Sequence, residues 1–343
     1  MIQVVDFRDD QSEAWRAYVG SREDATVCHM IEWREIIHAS LGHKPYYLLA
    51  KRNGQVCGVV PLFLVTTWWR SRYLISIPWL DYGGILADDE DVERALLVKT
   101  GELAKALSAK FVEMRSIKAR TDETKHRTDK VTFVLELSSG EEAVWKGFDA
   151  KLRNQVRKAE KSELVAEFGR EELLDDFYAV FTRNMRDLGT PVWGRDLFER
   201  CLTVLPRNAE LVIVRLRGRA IAGGLVLSFR DTLYVPSASS YRSERALCPN
   251  HSLYWETIKR GISNGYTHFD FGRSTLDGPT YNFKKQWTPH PIQLTWQYQL
   301  TGVSEIPALN PDNDRYNLAI RIWQKLPLPI ANILGPRVIK NFP

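Results

Sequence analysis

Three short segments bring together residue types suited to binding or transferring a charged group. The first, Lys151-Leu-Arg-Asn-Gln-Val-Arg-Lys-Ala-Glu-Lys161, holds five cations against one carboxylate. At helical spacing Arg153 and Arg157 are i, i+4 neighbours, with Lys158 beside them and Lys161 on the same stripe. Guanidinium forks bind phosphate or carboxylate through paired hydrogen bonds. The run also reads as a solvated helix face, although unpaired like charges at this spacing cost some stability. The second segment is His268-Phe-Asp-Phe-Gly-Arg-Ser274. On a strand, Asp270 points opposite to Phe269 and Phe271, next to a glycine turn, and strand ends of open α/β folds are where ligands bind. Asp270 accepting backbone hydrogen bonds at that turn is the other reading. The third, Gly278-Pro-Thr-Tyr-Asn-Phe-Lys-Lys-Gln-Trp287, interleaves Tyr281, Phe283 and Trp287 with Lys284 and Lys285. Such a mixture suits a phosphate-bearing ligand with stacked parts, and an ordinary half-buried strand produces it as well.

Several chemistries lack their residues. Asp-Phe-Gly invites a kinase reading, but no H-R-D loop, Gly-rich phosphate loop or strand lysine with its helix glutamate accompanies it. There is no Walker A, G-x-G-x-x-G, G-x-S-x-G or H-E-x-x-H sequence. The seven histidines (29, 38, 43, 126, 251, 268 and 290) show no metal-ligand spacing. Cys28, Cys57, Cys201 and Cys248 contain no C-x-x-C pair, so they read as small apolar residues of a reducing compartment, with no metal expected.

The elements that must position these segments form a diverged repeat. Leu48–Val65 and Val212–Phe229 align at an offset of 164, which sets Lys51 on Arg215, Gly54 on Gly218 and Gln55 on Arg219. Each reads as strand, glycine turn, strand. A short strand ending at proline follows in both, Tyr73–Pro78 and Thr232–Pro236. Next comes a helix, one opening with Asp88 and Asp91 in capping-box spacing, the other after Pro249 with Asn250 as N-cap and a stop at Gly265. Each helix leads to a strand ending in a carboxylate, Glu113 or Asp270. Between the halves, Ser116–Asp129 reads as a surface loop, Glu142–Phe168 as a basic helix, and Glu171–Leu188 as a further helix ended by Gly189 and Pro191. The chain is thus expected to be α/β (α+β), with units at 1–140 and 141–314 and a tail at 315–343.

Length and charge agree. A chain of 343 residues with 44 % hydrophobic and 26 % charged residues is globular and long enough for two domains. Its net charge of +5 is equalled by Arg315, Arg321, Lys325, Arg337 and Lys340, because no acidic residue follows Asp314. Residues 1–314 are therefore formally neutral. The N-terminus lacks the pattern of a signal peptide, and the apolar stretch Gln55–Trp69 is too short to span a bilayer. A cytoplasmic protein is expected. The tail's leucines and isoleucines beside its cations suit an anionic leaflet at the inner membrane face.

The run Asn250–Gly265, then Phe269–Ser274, then Tyr281–Trp287 resembles the second domain of FemAB-like transferases and the related BioF-like acyltransferase domains of the GNAT superfamily. Arg153–Ala159 resembles the basic helix between their two domains. Leu188–Pro191 and the closing Leu326-Pro-Leu and Leu334-Gly-Pro-Arg337 are similar to the FemAB subfamily associated with exosortase and exopolysaccharide loci. The resemblance spans most of residues 30–343. It implies tandem GNAT-like domains with mixed sheets flanked by helices, and transfer of an acyl or aminoacyl group to an amine of a peptidoglycan or exopolysaccharide precursor. Two family features are absent: the Arg/Gln-x-x-Gly-x-Gly/Ala loop that holds the coenzyme A pyrophosphate, and the helical arm some Fem proteins insert for tRNA.

Acyl transfer to an amine needs a deprotonated nucleophile and a stabilised oxyanion. Asp270 is the candidate to orient or deprotonate the amine, and a substrate-assisted route without a base fits equally. Arg153, Arg157, Lys158, Lys284 and Lys285 are candidate anion anchors. By the resemblance Asn250, His251, Tyr254, Arg273, Ser274 and Tyr281 join them in substrate binding. No tightly bound cofactor is expected, with acyl-CoA or aminoacyl-tRNA as co-substrate and a small or lipid-linked precursor as acceptor. A non-catalytic RNA-binding or membrane-surface protein on the same fold is the alternative. The neutral body argues against DNA.

Overall fold

The computed structural model describes residues 1–118, 124–306 and 314–342, with 314–317 described by backbone alone. Part of the 116–129 segment, the Arg315 side chain and Pro343 lie outside the described residues. In chain order the elements begin with β1 (Ile2–Asp6), α1 (Ser12–Ser21), α2 (Trp33–Leu41), β2 (Lys44–Pro45), β3 (Leu48–Arg52) and β4 (Gln55–Val60). There follow β5 (Leu62–Thr66), β6 (Arg72–Ser76), β7 (Leu86–Ala87), α3 (Glu90–Ala106), β8 (Phe111–Ser116) and β9 (Lys125–Arg127). The middle of the chain forms β10 (Lys130–Glu136), α4 (Glu141–Gly147), α5 (Ala150–Lys161), β11 (Leu164–Gly169), α6 (Leu174–Leu188), α7 (Arg195–Val204), β12 (Ala209–Leu216) and β13 (Arg219–Phe229). The rest is β14 (Thr232–Ser240), α8 (Pro249–Ser263), β15 (His268–Asp270), β16 (Ser274–Thr275), α9 (Pro279–Lys284), β17 (Pro291–Gln293), β18 (Thr295–Leu300), α10 (Asp314–Gln324) and α11 (Leu328–Ile339).

The repeat extends to backbone detail. Both hairpins turn through two residues of positive φ, Asn53-Gly54 and Arg217-Gly218, the geometry that matches strand twist. Both carry a register shift at the same aligned place, Ala50/Lys51 and Val214/Arg215. Pro61, which separates β4 from β5, aligns with Leu225, where β13 shifts register against β14. β6 then pairs in parallel with β8, Leu74 opposite Val112, and β14 pairs in parallel with β15, Leu233 opposite Phe269.

The units divide differently from the expected cut at 140. The first comprises residues 1–130, 293–309 and 340–343, the second 131–292 and 310–339. The reason is an exchange of closing strands. β10 follows the first repeat in sequence but pairs with β15 of the second unit, Val134 opposite Asp270. β18 follows the second repeat but pairs with β8 of the first, Tyr298 opposite Glu113. The first unit holds sheets β1-β3-β4-β7 and β2-β5-β6-β8-β18-β9, and the second has β11-β12-β13-β14-β15-β10-β16, with β17 beside β10. Residues 310–339 belong to the second unit, where α10 and α11 pack on α6.

Other expectations shift for local reasons. Asp89, not Asp88, caps α3 by accepting from the Val92 amide at 3.0 Å. Asp88 accepts from the Tyr18 hydroxyl. Cys248, at φ +59, occupies the N-cap of α8, so Pro249 and Asn250 are already helical. The basic segment is two helices followed by strand β11, because Leu164–Gly169 finds a ladder partner in β12. β9 forms within the expected surface loop by pairing with β18. β14 runs through Pro236, which sits at the irregularity opposite Leu225/Leu227 where the ladder does not need its missing N–H.

In the first unit the exchanged strand is fastened by a buried ion pair. Arg115 donates from Nε to Glu113 at 2.8 Å and from Nη1 to the Leu80 carbonyl at 2.8 Å. The Tyr298 hydroxyl donates to the other Glu113 oxygen at 2.6 Å, and the guanidinium lies 4.6 Å over the Trp296 ring. Removing one member strands a buried charge, a loss of about 3–5 kcal/mol. Arg115→Met and Glu113→Leu should each lower the unfolding free energy by that amount, read from the denaturant midpoint and its m-value. The double variant should lose less than the sum of the two singles.

Candidate functional site

The second unit contains a cleft of about 490 Å³ where the parallel pair parts. β14 and β15 are paired only over Thr232–Tyr234 and His268–Asp270, and β14 continues six residues further along β13. Its end, Ala238–Ser240, forms one wall. The first turn of α8 supplies Pro249, Asn250, His251 and Tyr254, and α9 supplies Pro279, Thr280, Phe283 and Lys284. α6 closes the cleft with Asn184 and Leu188, and Arg245 and Cys248 stand on the loop before α8. Asn184 donates to the Ser239 hydroxyl at 3.0 Å.

The lining mixes apolar surface with neutral hydrogen-bonding groups and two cations, Arg245 and Lys284. No carboxylate belongs to it. His251 lies against Phe283 and Trp287, and burial pushes its imidazole down to about 4, so it is neutral at pH 7. Neither of its ring nitrogens, nor the Asn250 carbonyl oxygen, has a hydrogen-bond partner. Burial raises the Tyr254 phenol above its ordinary value, which keeps its proton available. The Lys284 ammonium donates to the Gly272 and Arg273 carbonyls at 2.7 and 3.0 Å. It thereby fixes the turn after β15.

Asn250, His251, Tyr254 and Lys284 thus come together, and the other candidate residues lie elsewhere. Asp270 is buried, and its Oδ1 accepts from the Thr132 hydroxyl at 2.6 Å and the Gly272 amide at 2.7 Å. Thr132 stands on the exchanged strand β10, so this carboxylate does for the second unit what Glu113 does for the first. Arg153 caps α4, donating to the Lys146 and Phe148 carbonyls. Arg157 lies 5.5 Å over the Trp145 ring, and Lys158 is exposed. Tyr281–Trp287 begins as helix α9 and is not a strand. Tyr281 packs on Phe133 and the exposed Lys285 lies over the Tyr281 ring. Ser274 is buried with an unpartnered hydroxyl, and Arg273 is exposed. Phe283, named in the third segment, lies here too, whereas Asn184, Ser239, Ser240, Arg245, Cys248 and Thr280 were not singled out from sequence. The run of small residues Ser237-Ala-Ser-Ser240 at the end of β14 is the one local signal that marks this strand end.

The loop before α8 fits a diphosphate poorly. Residues 241–248 contain no glycine to let phosphate approach the backbone, and Pro249 removes a donor at the helix start. The first unit has its own cleft of about 370 Å³, lined by His29, Tyr82, Gly84, Glu93, Ser116 and Gln297 among others. Two non-glycine residues of positive φ, Ile77 and Trp79, precede it. Among the described residues no helix is long and apolar enough to cross a membrane.

Two outcomes follow. Asp270→Asn weakens two buried charge-assisted bonds that hold β10, so it should lower stability by about 1–3 kcal/mol, read as a shift in the urea midpoint. His29, His43 and His251 are all held near 4 by burial, below the unfolded value of about 6.5. Their stabilisation is complete above pH 6.5 and is lost as pH falls toward 4, because the unfolded chain binds protons that the fold refuses. Each contributes a slope of about 1.4 kcal/mol per pH unit in that window, and His251→Phe should remove one such increment from a pH series of urea melts.

Residues 146–285 match the family described as "Acetyltransferase (GNAT) domain". No curated protein matches the sequence. Among solved structures, FemX is similar at TM-score 0.64 and 15 % identity, over 88 % of this chain and 98 % of that one. The C-terminal domain (DUF2156) of a putative lysylphosphatidylglycerol synthetase from Agrobacterium fabrum aligns at TM-score 0.58 and 12 % identity, covering 87 % and 99 %. A tandem GNAT protein from the clavulanic acid biosynthesis pathway aligns at TM-score 0.56 and 11 % identity, covering 89 % and 100 %. The second unit carries a GNAT acyltransferase domain, and the chain as a whole has the FemX-like tandem GNAT fold.

Proposed function

We propose that the protein transfers an aminoacyl group from aminoacyl-tRNA to an amine of a cell-envelope precursor, in the second unit's cleft. The observation that carries this reading is the cleft itself, an opened parallel strand pair facing the first turn of α8 inside the GNAT domain. Its neutral hydrogen-bonding groups suit an ester carbonyl and an amine, whereas the glycine-free loop at residues 241–248 disfavours the pyrophosphate of acyl-CoA. Likeness in fold to FemX and to a lysylphosphatidylglycerol synthetase domain supports the same class of donor and an envelope acceptor of peptidoglycan, exopolysaccharide or lipid type.

The amine nitrogen attacks the ester carbonyl, the N–C bond forms and the C–O bond to the tRNA ribose breaks. Tyr254 gives its phenolic proton to the departing alkoxide and regains one from the attacking amine. His251 and Asn250 orient the reacting groups by hydrogen bonds. Of the cations of α5 that face solvent, Lys151, Arg157 and Lys158 contact the tRNA backbone, while Arg153 holds the helix pair in place. The acceptor's lipid link is met at the cytoplasmic membrane face, where the cationic segment 315–343 makes a peripheral contact.

The test is transfer by the purified chain, followed by mass spectrometry, with aminoacyl-tRNA and acyl-CoA supplied separately to amine-bearing envelope precursors. Tyr254→Phe should lower kcat about 100-fold with an unchanged melt. Lys151→Gln/Arg157→Gln/Lys158→Gln should raise KM for tRNA and flatten its salt dependence by about 1 per lost phosphate contact. Product formed from acyl-CoA alone would overturn the donor assignment, and full activity of Tyr254→Phe would overturn the site.

A further inference from the structure

The turn between β5 and β6 in the first unit presents two adjacent tryptophans to solvent, Trp68 at 60 % and Trp69 at 54 % exposure. The turn is not loose. Thr67 and Ser71 are both buried, the Thr67 amide donates to the Ser71 carbonyl at 2.9 Å, and the Arg70 amide donates to the Thr67 carbonyl at 2.9 Å. The Ser71 amide returns a bond to the Thr67 hydroxyl at 3.1 Å, and Arg70 sits at φ +59. The end of the chain braces it as well. The buried Asn341 accepts from the Trp68 amide at 2.9 Å, and the Phe342 ring lies 5.8 Å from Trp69. A rigid, hydrogen-bonded turn that holds two indoles out in water keeps apolar surface exposed that ordinary folding would bury.

The charges around the turn have one sign. No acidic residue occurs anywhere from Lys51 to Leu80, nor after Asp314, and these two runs meet at the Trp68–Asn341 bond. Arg70 on the turn, Arg72 at the start of β6, where it donates to the Leu107 carbonyl at 3.2 Å, and Lys340 beside Asn341 form no ion pair among the described residues. Indole rings seat at the headgroup level of a bilayer, with their apolar body toward the acyl chains. Cations around them are attracted by acidic headgroups.

We infer that the Trp68–Trp69 turn, with Phe342 and the cations Arg70, Arg72 and Lys340, is a docking surface for an anionic lipid bilayer. The inference deepens the membrane-face reading of the preceding section and rests on it for its purpose. Its physics is independent of catalysis. The bilayer is favoured over a protein partner because the two chain runs that meet here carry cations and no carboxylate, which suits an acidic surface.

Vesicle sedimentation tests it without any substrate. The full chain should pellet with phosphatidylcholine/phosphatidylglycerol vesicles, less with phosphatidylcholine alone, and less as salt rises. Trp68→Ser/Trp69→Ser should reduce the partition coefficient at least about tenfold with an unchanged melt, and Trp68→Phe/Trp69→Phe should restore most of it. Arg70→Gln and Lys340→Gln should each cost about fivefold on the anionic vesicles only. The serine variant should keep its activity on a water-soluble acceptor, and Tyr254→Phe should bind vesicles like the wild type, so failure of the transferase reading and failure of this one are separable. Absence of vesicle binding, binding unaffected by the serine substitutions, or a dimer in sedimentation velocity that those substitutions abolish would each overturn the inference.

Discussion

Each half of this chain is closed by a strand that follows the other half in sequence, and a buried carboxylate holds each closing strand in register. Glu113 accepts from Tyr298 on β18, and Asp270 accepts from Thr132 on β10. Without those strands β8 and β15 would end their sheets with unpaired backbone groups, which is costly inside a fold and adhesive outside it. The exchange ties the two repeats into one folding problem, since neither sheet is complete until the chain has passed through both. It also explains why a boundary placed by linear reading cuts a sheet.

The same architecture creates the cleft. A parallel pair held together at its start and released at its end leaves the far part of β14 bonded on one side only. α8 enters beside that opening with Cys248 at φ +59 and Pro249 at its first position. Lys284 fixes the far wall through two carbonyls. The polar groups facing inward are neutral hydrogen-bonding ones together with the cations Arg245 and Lys284, and no carboxylate belongs to the lining. Chemistry in such a site depends on orientation and on donors such as a protonated phenol more than on a strong base.

Much of this was legible in the residues. The Gly54 and Gly218 hairpins, the two helices that follow, and the strand-end carboxylates gave the duplicated order, and the Asn250–Tyr254 turn gave part of the cleft. Less legible were Asn184 and Ser239, which meet only because α6 crosses the sheet. Asp270 and Arg153 were legible only as alternatives: a charged side chain beside a turn or helix start serves a ligand or the backbone equally well, and its partners are set by elements far away in sequence.

The sequence by itself determined the repeat, its turn chemistry, the neutral body and the two acid-free stretches, since these depend on local spacing and residue type. Tertiary structure alone decided which strand closes which sheet, and therefore that Asp270 pins β10 while Tyr254 and His251 face the cleft. It also brought Asn341 onto the Trp68 turn. Strand pairing and burial join residues more than a hundred positions apart, and such contacts are settled by the free energy of the whole sheet and core, not by any window of the chain.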